Sequence, residues 1–235
     1  MLVSSFDTKY SQTATKYEYL DNNFTNLLSK DRRFSRIFTS VIENHKLDLS
    51  SDIVLRSDMT GQVINTILTH DFKSEHYLYY MGDVFKPDLV NKSIKQYRQH
   101  GLEIINRPKM ESFIEVIKLL DKLLTRIIKK NFVYIFTDPK ISNKSKFVFN
   151  TKTPFNSKIK SFTNAFTKTV RSSYELNLEK NFFSKDYHQD IFFYVYSNKS
   201  KKILAQGGGY HYNQNKKKID GFGFSCNVDN LAEII

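Results

Sequence analysis

Tyr79-Tyr80-Met81-Gly82-Asp83-Val84-Phe85-Lys86-Pro87-Asp88, answered by Tyr97-Arg98-Gln99-His100-Gly101-Leu102-Glu103-Ile104-Ile105, reads as a strand and its return. The first strand, spanning 76–85, is rich in tyrosine and stops at Lys86-Pro87, because proline has no N–H to give a sheet ladder. Strand side chains alternate between faces, so Gln99 and Glu103, four residues apart, point the same way. An amide and a carboxylate on one strand face suit a donor-rich ligand such as an ammonium group or an imidazole. The plainer alternative is that Glu103 salt-bridges across a strand pair.

Outward from this pair, Pro108 opens the clearest helix of the chain. Its stripe of Phe113, Ile114, Ile117, Leu120, Leu124, Ile127 and Ile128 keeps a 3.6-residue period and ends at Lys129-Lys130. Upstream, residues 51–56 read as a short strand and 59–70 as a helix with Val63, Ile64, Ile67 and Leu68 on its apolar face. Residues 9–45 carry two groups at helical spacing, Phe24, Leu27 and Leu28, then Phe34, Ile37, Val41 and Ile42. These predict two helices with a break at Ser29 or Asp31. Downstream, 132–136 reads as a strand and 138–180 as an insertion with a helix over 157–171. Residues 191–196 are apolar on both faces, as in a buried central strand. Residues 201–206 pair with them across the turn 197–200; 219–226 is the last strand and 228–235 a helix. No repeat is present. The pattern is that of a single α+β domain over 1–235.

The chain has 235 residues, 40% of them hydrophobic and 14% aromatic, which is too rich for disorder. No apolar run reaches the roughly 20 residues of a membrane helix, and the first residues lack a signal peptide's features. Cys226 is the sole cysteine, so neither an intrachain disulfide nor a cysteine-based zinc cluster can form. The six histidines show no metal-ligand spacing, and no metal or cofactor is expected. A cytoplasmic protein is the expectation. The net charge of +12 raises the question of nucleic acid. Lysine, however, is abundant throughout, and the runs at 129–130 and 216–218 suit a helix C-terminus and a turn.

Single motifs say little. Gly207-Gly208-Gly209 lacks the ending of a P-loop and reads as a turn between strands. Gly221-Phe222-Gly223-Phe224 lacks a third glycine and suits a strand that lets another group approach closely.

The order of segments says more. Leu55-Arg56-Ser57-Asp58-Met59-Thr60, the strand pair, Gly207-Gly208-Gly209-Tyr210 and Gly221–Phe224 leading into Asp229-Asn230-Leu231 follow one another. This succession resembles the histidyl-tRNA synthetase family, of class II, and its paralogue, the regulatory subunits of ATP phosphoribosyltransferase. Those families carry Leu-Arg-Pro-Glu/Asp-x-Thr, Phe-Arg-x-Glu, Gln-x-Gly-x-Glu, Gly-Gly-Arg-Tyr-Asp and Asp-Arg-Leu in that order. The resemblance covers 53–105 well and 186–231 fairly. It implies a six- or seven-stranded, mainly antiparallel sheet flanked by helices. It also implies a histidine pocket at Asp58, Thr60, Lys86, Gln99, Glu103, His188 and Tyr210. The simpler role for Asp58 is a helix cap.

Departures from the pattern then matter. Lys86 stands where the family's arginine clamps phosphate and carboxylate, and a lysine cannot make that bidentate contact. Asp88 replaces the glutamate, Asn230 the arginine of the last motif, and Phe183 a further arginine. Adenylyl transfer depends on such charges, so ATP activation should be lost at the degenerate positions Lys86, Asp88 and Asn230. His188 and Gly209 also differ beside the presumed pocket. The chain leaves no room after Leu231 for an anticodon-binding domain. The resemblance therefore implies a non-enzymatic regulatory subunit of ATP phosphoribosyltransferase in histidine biosynthesis. Its partner would be a short-form catalytic subunit, its effector histidine, and its state a homodimer within a hetero-oligomer. An RNA-binding relative and an altered synthetase are the alternatives.

Overall fold

A computed structural model describes residues 11–43, 54–71, 73–88, 91–137, 157–176, 188–214 and 217–235. Helix α1 (Ser11–Leu28) leads into two short strands, β1 (Ser35–Arg36) and β2 (Ile42–Glu43). Then come β3 (Val54–Leu55), α2 (Thr60–His70), β4 (His76–Asp88) and β5 (Ser93–Ile105). Helix α3 (Lys109–Ile128), β6 (Phe132–Thr137), α4 (Ser157–Thr169) and β7 (Ser173–Leu176) follow. The chain closes with β8 (His188–Ser197), β9 (Ile203–Gln214), β10 (Lys217–Asn227) and α5 (Val228–Ile234).

One eight-stranded sheet runs in the order β1-β4-β5-β10-β9-β8-β6-β7, and β2 and β3 pair separately. All neighbours in the large sheet are antiparallel except the edge pairs β1–β4 and β6–β7. The expected α+β class and mainly antiparallel sheet are present, with eight strands in place of six or seven. The surplus lies at the edges: β1 has two residues and β7 four.

Helices cover both faces. Phe24 of α1, the α3 stripe, Phe162 and Phe166 of α4 and Leu231 of α5 share one core with Leu102 and Ile104 of β5. On the opposite face Val63, Ile64, Ile67 and Leu68 of α2 pack with Tyr80, Ile105, Tyr210 and Ile219. Strand β5 is therefore sandwiched, with even-numbered residues toward α1 and α3 and odd-numbered ones toward α2. Helix α3 starts after Pro108 and ends where Lys129, at φ 58°, turns its N–H back to the Thr125 carbonyl at 3.0 Å.

Three expectations are corrected. The second N-terminal helix, predicted from Phe34, Ile37, Val41 and Ile42, is absent from the described residues of that segment. Its backbone runs beside β4, where the Ile37 N–H donates to the Tyr79 carbonyl at 2.9 Å. The apolar spacing there was not a buried stripe: Phe34 is buried, while Phe38, Val41 and Ile42 are exposed. Gly207-Gly208-Gly209 is no turn but the middle of β9. Likewise Lys217 and Lys218 belong to β10, not to a turn. In the insertion read over 138–180, residues 138–156 and 177–180 lie outside the described residues; so do 181–187, Phe183 among them. The helix expected there is α4.

Candidate functional site

Antiparallel register places the functional side chains in rows across the α2 face of the sheet. One row holds Gln99 and Asn227; the next holds Tyr80, Gly101, Ser225 and Gln206. The third holds Leu78, Glu103, Gly223 and Gly208, and the fourth Ile105, Gly221 and Tyr210. Successive rows lie about 7 Å apart, two residues of strand rise.

The glycines create the site's floor. A β-carbon on Gly101 would strike the Tyr80 ring, one on Gly221 the Tyr210 ring, and one on Gly223 the Glu103 carboxyl. In each case the intruding group belongs to the residue directly opposite in the ladder. Both tyrosine rings thus lie over bare backbone and bring their hydroxyls toward Glu103 from two sides.

Glu103 is only 2% exposed. Its Oε1 accepts from the Thr60 hydroxyl at 2.8 Å and from the Tyr80 hydroxyl at 3.3 Å. Its Oε2 makes no well-formed hydrogen bond and lies against Gly223. Burial pushes its pKa up to about 8, with Asp58 adding to the rise and the hydroxyls of Thr60, Tyr210 and Tyr80 opposing it. Asp58 is not the cap of α2, a position held by Met59 without a side-chain bond; its Oδ1 accepts from the Thr60 N–H, two residues on, at 3.3 Å. The cross-strand salt bridge suggested for Glu103 is not formed with any described residue.

One to two rows away, a cavity of about 440 Å³ is lined by Lys86, Tyr97, Gln99, Gln206, Asn227 and Asn230, among others. Lys202 also lines it and is ion-paired with Glu233. The Asn230 side chain donates to the Ile203 carbonyl at 2.7 Å, so its amide is spent within the fold. Asp88 does not line the cavity; it pairs with Lys95 at 2.6 Å.

The seven expected pocket residues thus fall into two adjoining groups. Lys86 and Gln99 reach the cavity, together with Asn230. Asp58, Thr60, Glu103 and Tyr210 form the buried cluster. His188 sits opposite Tyr210 by backbone register, and its side chain lies outside the described residues. Tyr80, hydrogen-bonded to Glu103, was missed by reading the sequence. Its signal, a tyrosine facing a glycine across a hairpin, exists only once the register is known.

The fold that carries these rows has known counterparts. The histidyl-tRNA synthetase family model matches residues 34–145. The fold is that of the histidyl-tRNA synthetase core. A Bacillus halodurans structure described as an ATP phosphoribosyltransferase regulatory subunit/histidyl-tRNA synthetase superposes with TM-score 0.77 at 15% identity, covering 97% of this chain and 81% of that one. Apo histidyl-tRNA synthetase of S. aureus gives TM-score 0.70 at 16% identity, covering 100% and 70%. A chain of the ATP phosphoribosyl transferase (HisG:HisZ) complex from Thermotoga maritima gives 0.69 at 15% identity, covering 90% and 97%. No curated protein matches the chain by sequence. The synthetase-core fold is therefore shared by a catalytic and a regulatory lineage. Among the described residues, no helix is long and apolar enough to cross a membrane.

Proposed function

We propose that this chain is a non-catalytic regulatory subunit of ATP phosphoribosyltransferase, binding a short-form catalytic subunit, activating it and sensing histidine. The observation that carries this reading is the cavity's cation content. Where a synthetase places arginine forks on ATP, this cavity offers two point-charge lysines, Lys86 and Lys202 (the latter paired with Glu233), and the neutral Asn230, which donates to the Ile203 carbonyl. A point-charge ammonium cannot reproduce a bidentate clamp, and phosphoryl chemistry draws most of its rate from such groups. The likeness to a chain of the HisG:HisZ complex supports the partner, and the retained Asp58, Thr60, Gln99, Glu103 and Tyr210 support a histidine-class effector.

Two measurements test it. Mixed with a short-form ATP phosphoribosyltransferase, the chain should co-elute in a larger particle by light scattering and raise that enzyme's rate. A catalytic chain that is fully active alone and elutes separately would remove the assignment. Pyrophosphate exchange with ATP and histidine should not exceed a heat-killed control; exchange above it would return the chain to the synthetases. Cytoplasmic location and homodimer formation belong to the same proposal.

A further inference from the structure

Alternation on a strand and three-residue spacing on a helix both sort side chains by face. On β5, Tyr97 and Gln99 line the cavity, while Arg98 and His100 turn the other way, where Asp21 of α1 accepts from both. Around α5, the stripe of Asn227, Asn230 and Glu233 belongs to the cavity. The first two line it, and Glu233 pairs with Lys202, which lines it too. The stripe of Asp229, Ala232 and Ile235 belongs to α1. Asp229 accepts from the Tyr17 hydroxyl, and Lys16 donates to the Ala232 and Ile235 carbonyls at 3.0 and 2.6 Å. The two walls are also tied to each other. Just past the last rung of the β5–β10 ladder, Gln99 opposite Asn227, the Arg98 N–H donates to Asp229 at 2.8 Å. One helix thus grips the backs of two walls of one cavity, and its own outer side, with Glu18, Tyr19 and Asn22, is exposed.

We propose that α1 is a strap that sets the shape of the cavity. Release of α1 loosens the α5 wall and Lys202, and a ligand seated against that wall changes in turn how firmly α1 is held. The second half follows from the first, because coupling between two sites is reciprocal. The path is short: Tyr17 to Asp229, one residue along α5 to Asn230, and from Asn230 to the Ile203 carbonyl beside Lys202. The Glu103 cluster lies off this path, held from the α2 face by Thr60 and Tyr80. The coupling is a property of the chain alone. The regulatory reading above gives it a use, as the route by which a partner on α1 feels the state of the cavity.

Hydrogen exchange of the whole chain, read by peptide mass spectrometry, tests the strap. Tyr17→Phe removes the hydroxyl that holds Asp229 and leaves the ring in place. It should speed exchange of the 228–234 amides about tenfold, as for a hydrogen bond to a charged group, while 60–70 keeps its wild-type rate. In the same variant acetic anhydride should acylate Lys202 about threefold faster, the gain expected when a surface ion pair slackens, with Lys118 unchanged. In the other direction Asn230→Ala, made on the cavity side, should speed exchange of 11–28 about fivefold. Should Tyr17→Phe not fold, Lys16→Met removes the hold on the α5 carbonyls and carries the same expectations. Exchange in the Tyr17 variant that is unchanged at 228–234, or faster by the same factor in every segment, would overturn the proposal. So would an Asn230→Ala protein whose α1 exchanges as in wild type. Failure to bind the phosphoribosyltransferase would sink the regulatory assignment and leave these rates as they are.

Discussion

Strand β5 buries charge on both of its faces, and does so in opposite ways. Toward α1, Asp21 accepts from Arg98 at 2.5 Å and from His100 Nε2 at 2.7 Å, while Phe24 stacks on the His100 ring. Asp229 joins from α5, accepting from the Arg98 N–H at 2.8 Å and from the Tyr17 hydroxyl. Lys16 of α1 meets the α5 carbonyls of Ala232 and Ile235 at 3.0 and 2.6 Å. Every charge on this face has a partner, and the network's product is the docking of two helices. Toward α2, Glu103 is more deeply buried and has hydroxyls alone. The α1 face meets its carboxylates with cations; the α2 face holds its carboxyl with hydroxyls alone, and no cation among the described residues pairs with it.

The two faces should respond to pH with opposite sign. Glu103's pKa rises from 4.5 to about 8 on folding, so its contribution is complete below pH 4.5 and is lost as pH climbs through 8. Wild type should therefore lose about 4 kcal/mol against Glu103→Gln between pH 5 and 9, seen by urea denaturation. Parallel pH profiles for the two proteins would erase the contrast.

On the other face, burial raises the Asp21 pKa, but hydrogen bonds from His100 and Arg98 outweigh it and hold the carboxyl below its usual range. Burial also depresses His100, against the opposing pull of Asp21. Both contributions are present above the unfolded pKa values and vanish as pH falls, first below about 6.5 through His100 and then below about 4 through Asp21. Asp21→Asn should cost about 2–3 kcal/mol at pH 7, because Arg98 keeps only the longer 3.7 Å contact with Asp83 as an ion pair. It should also flatten the acid limb. An acid limb as steep as wild type's would show that Asp21 is not its source.

Smaller effects sharpen the picture. Gly223→Ala drives a methyl into the Glu103 carboxyl and should cost about 1–3 kcal/mol, measured by thermal unfolding. Tyr80→Phe removes one hydrogen bond to Oε1 and should cost about 1 kcal/mol; no change at all would mean that this hydroxyl contributes nothing net.

The parts of the fold that could be read beforehand were those where burial and periodicity agree. The α3 stripe, the α2 face and the hairpin of β4 and β5 each bury the residues their spacing picks out. Residues 34–42 failed this test because their apolar side chains are split between two cores and solvent, a division no window of spacing reveals. The glycine triplet failed for a related reason: its place inside β9 depends on Phe193 and on the β8 and β10 backbones pressing against it. Within the site, the order of segments pointed to Glu103, Thr60, Gln99 and Tyr210. It could not separate the open cavity from the closed cluster, since that division follows from which row each residue occupies. Asp21 and His100, remote in sequence, gave no sign of each other.

The glycine floor also restricts how this sequence can change over generations. Gly101 faces Tyr80, Gly221 faces Tyr210 and Gly223 faces Glu103, each glycine filled by its opposite number. A larger residue at any of the three is admissible only after its counterpart has shrunk, and a shrunken counterpart leaves a hole until the glycine grows. Descendants of this chain should therefore alter these positions as couples, across strands that lie up to 120 residues apart, or hold both members fixed.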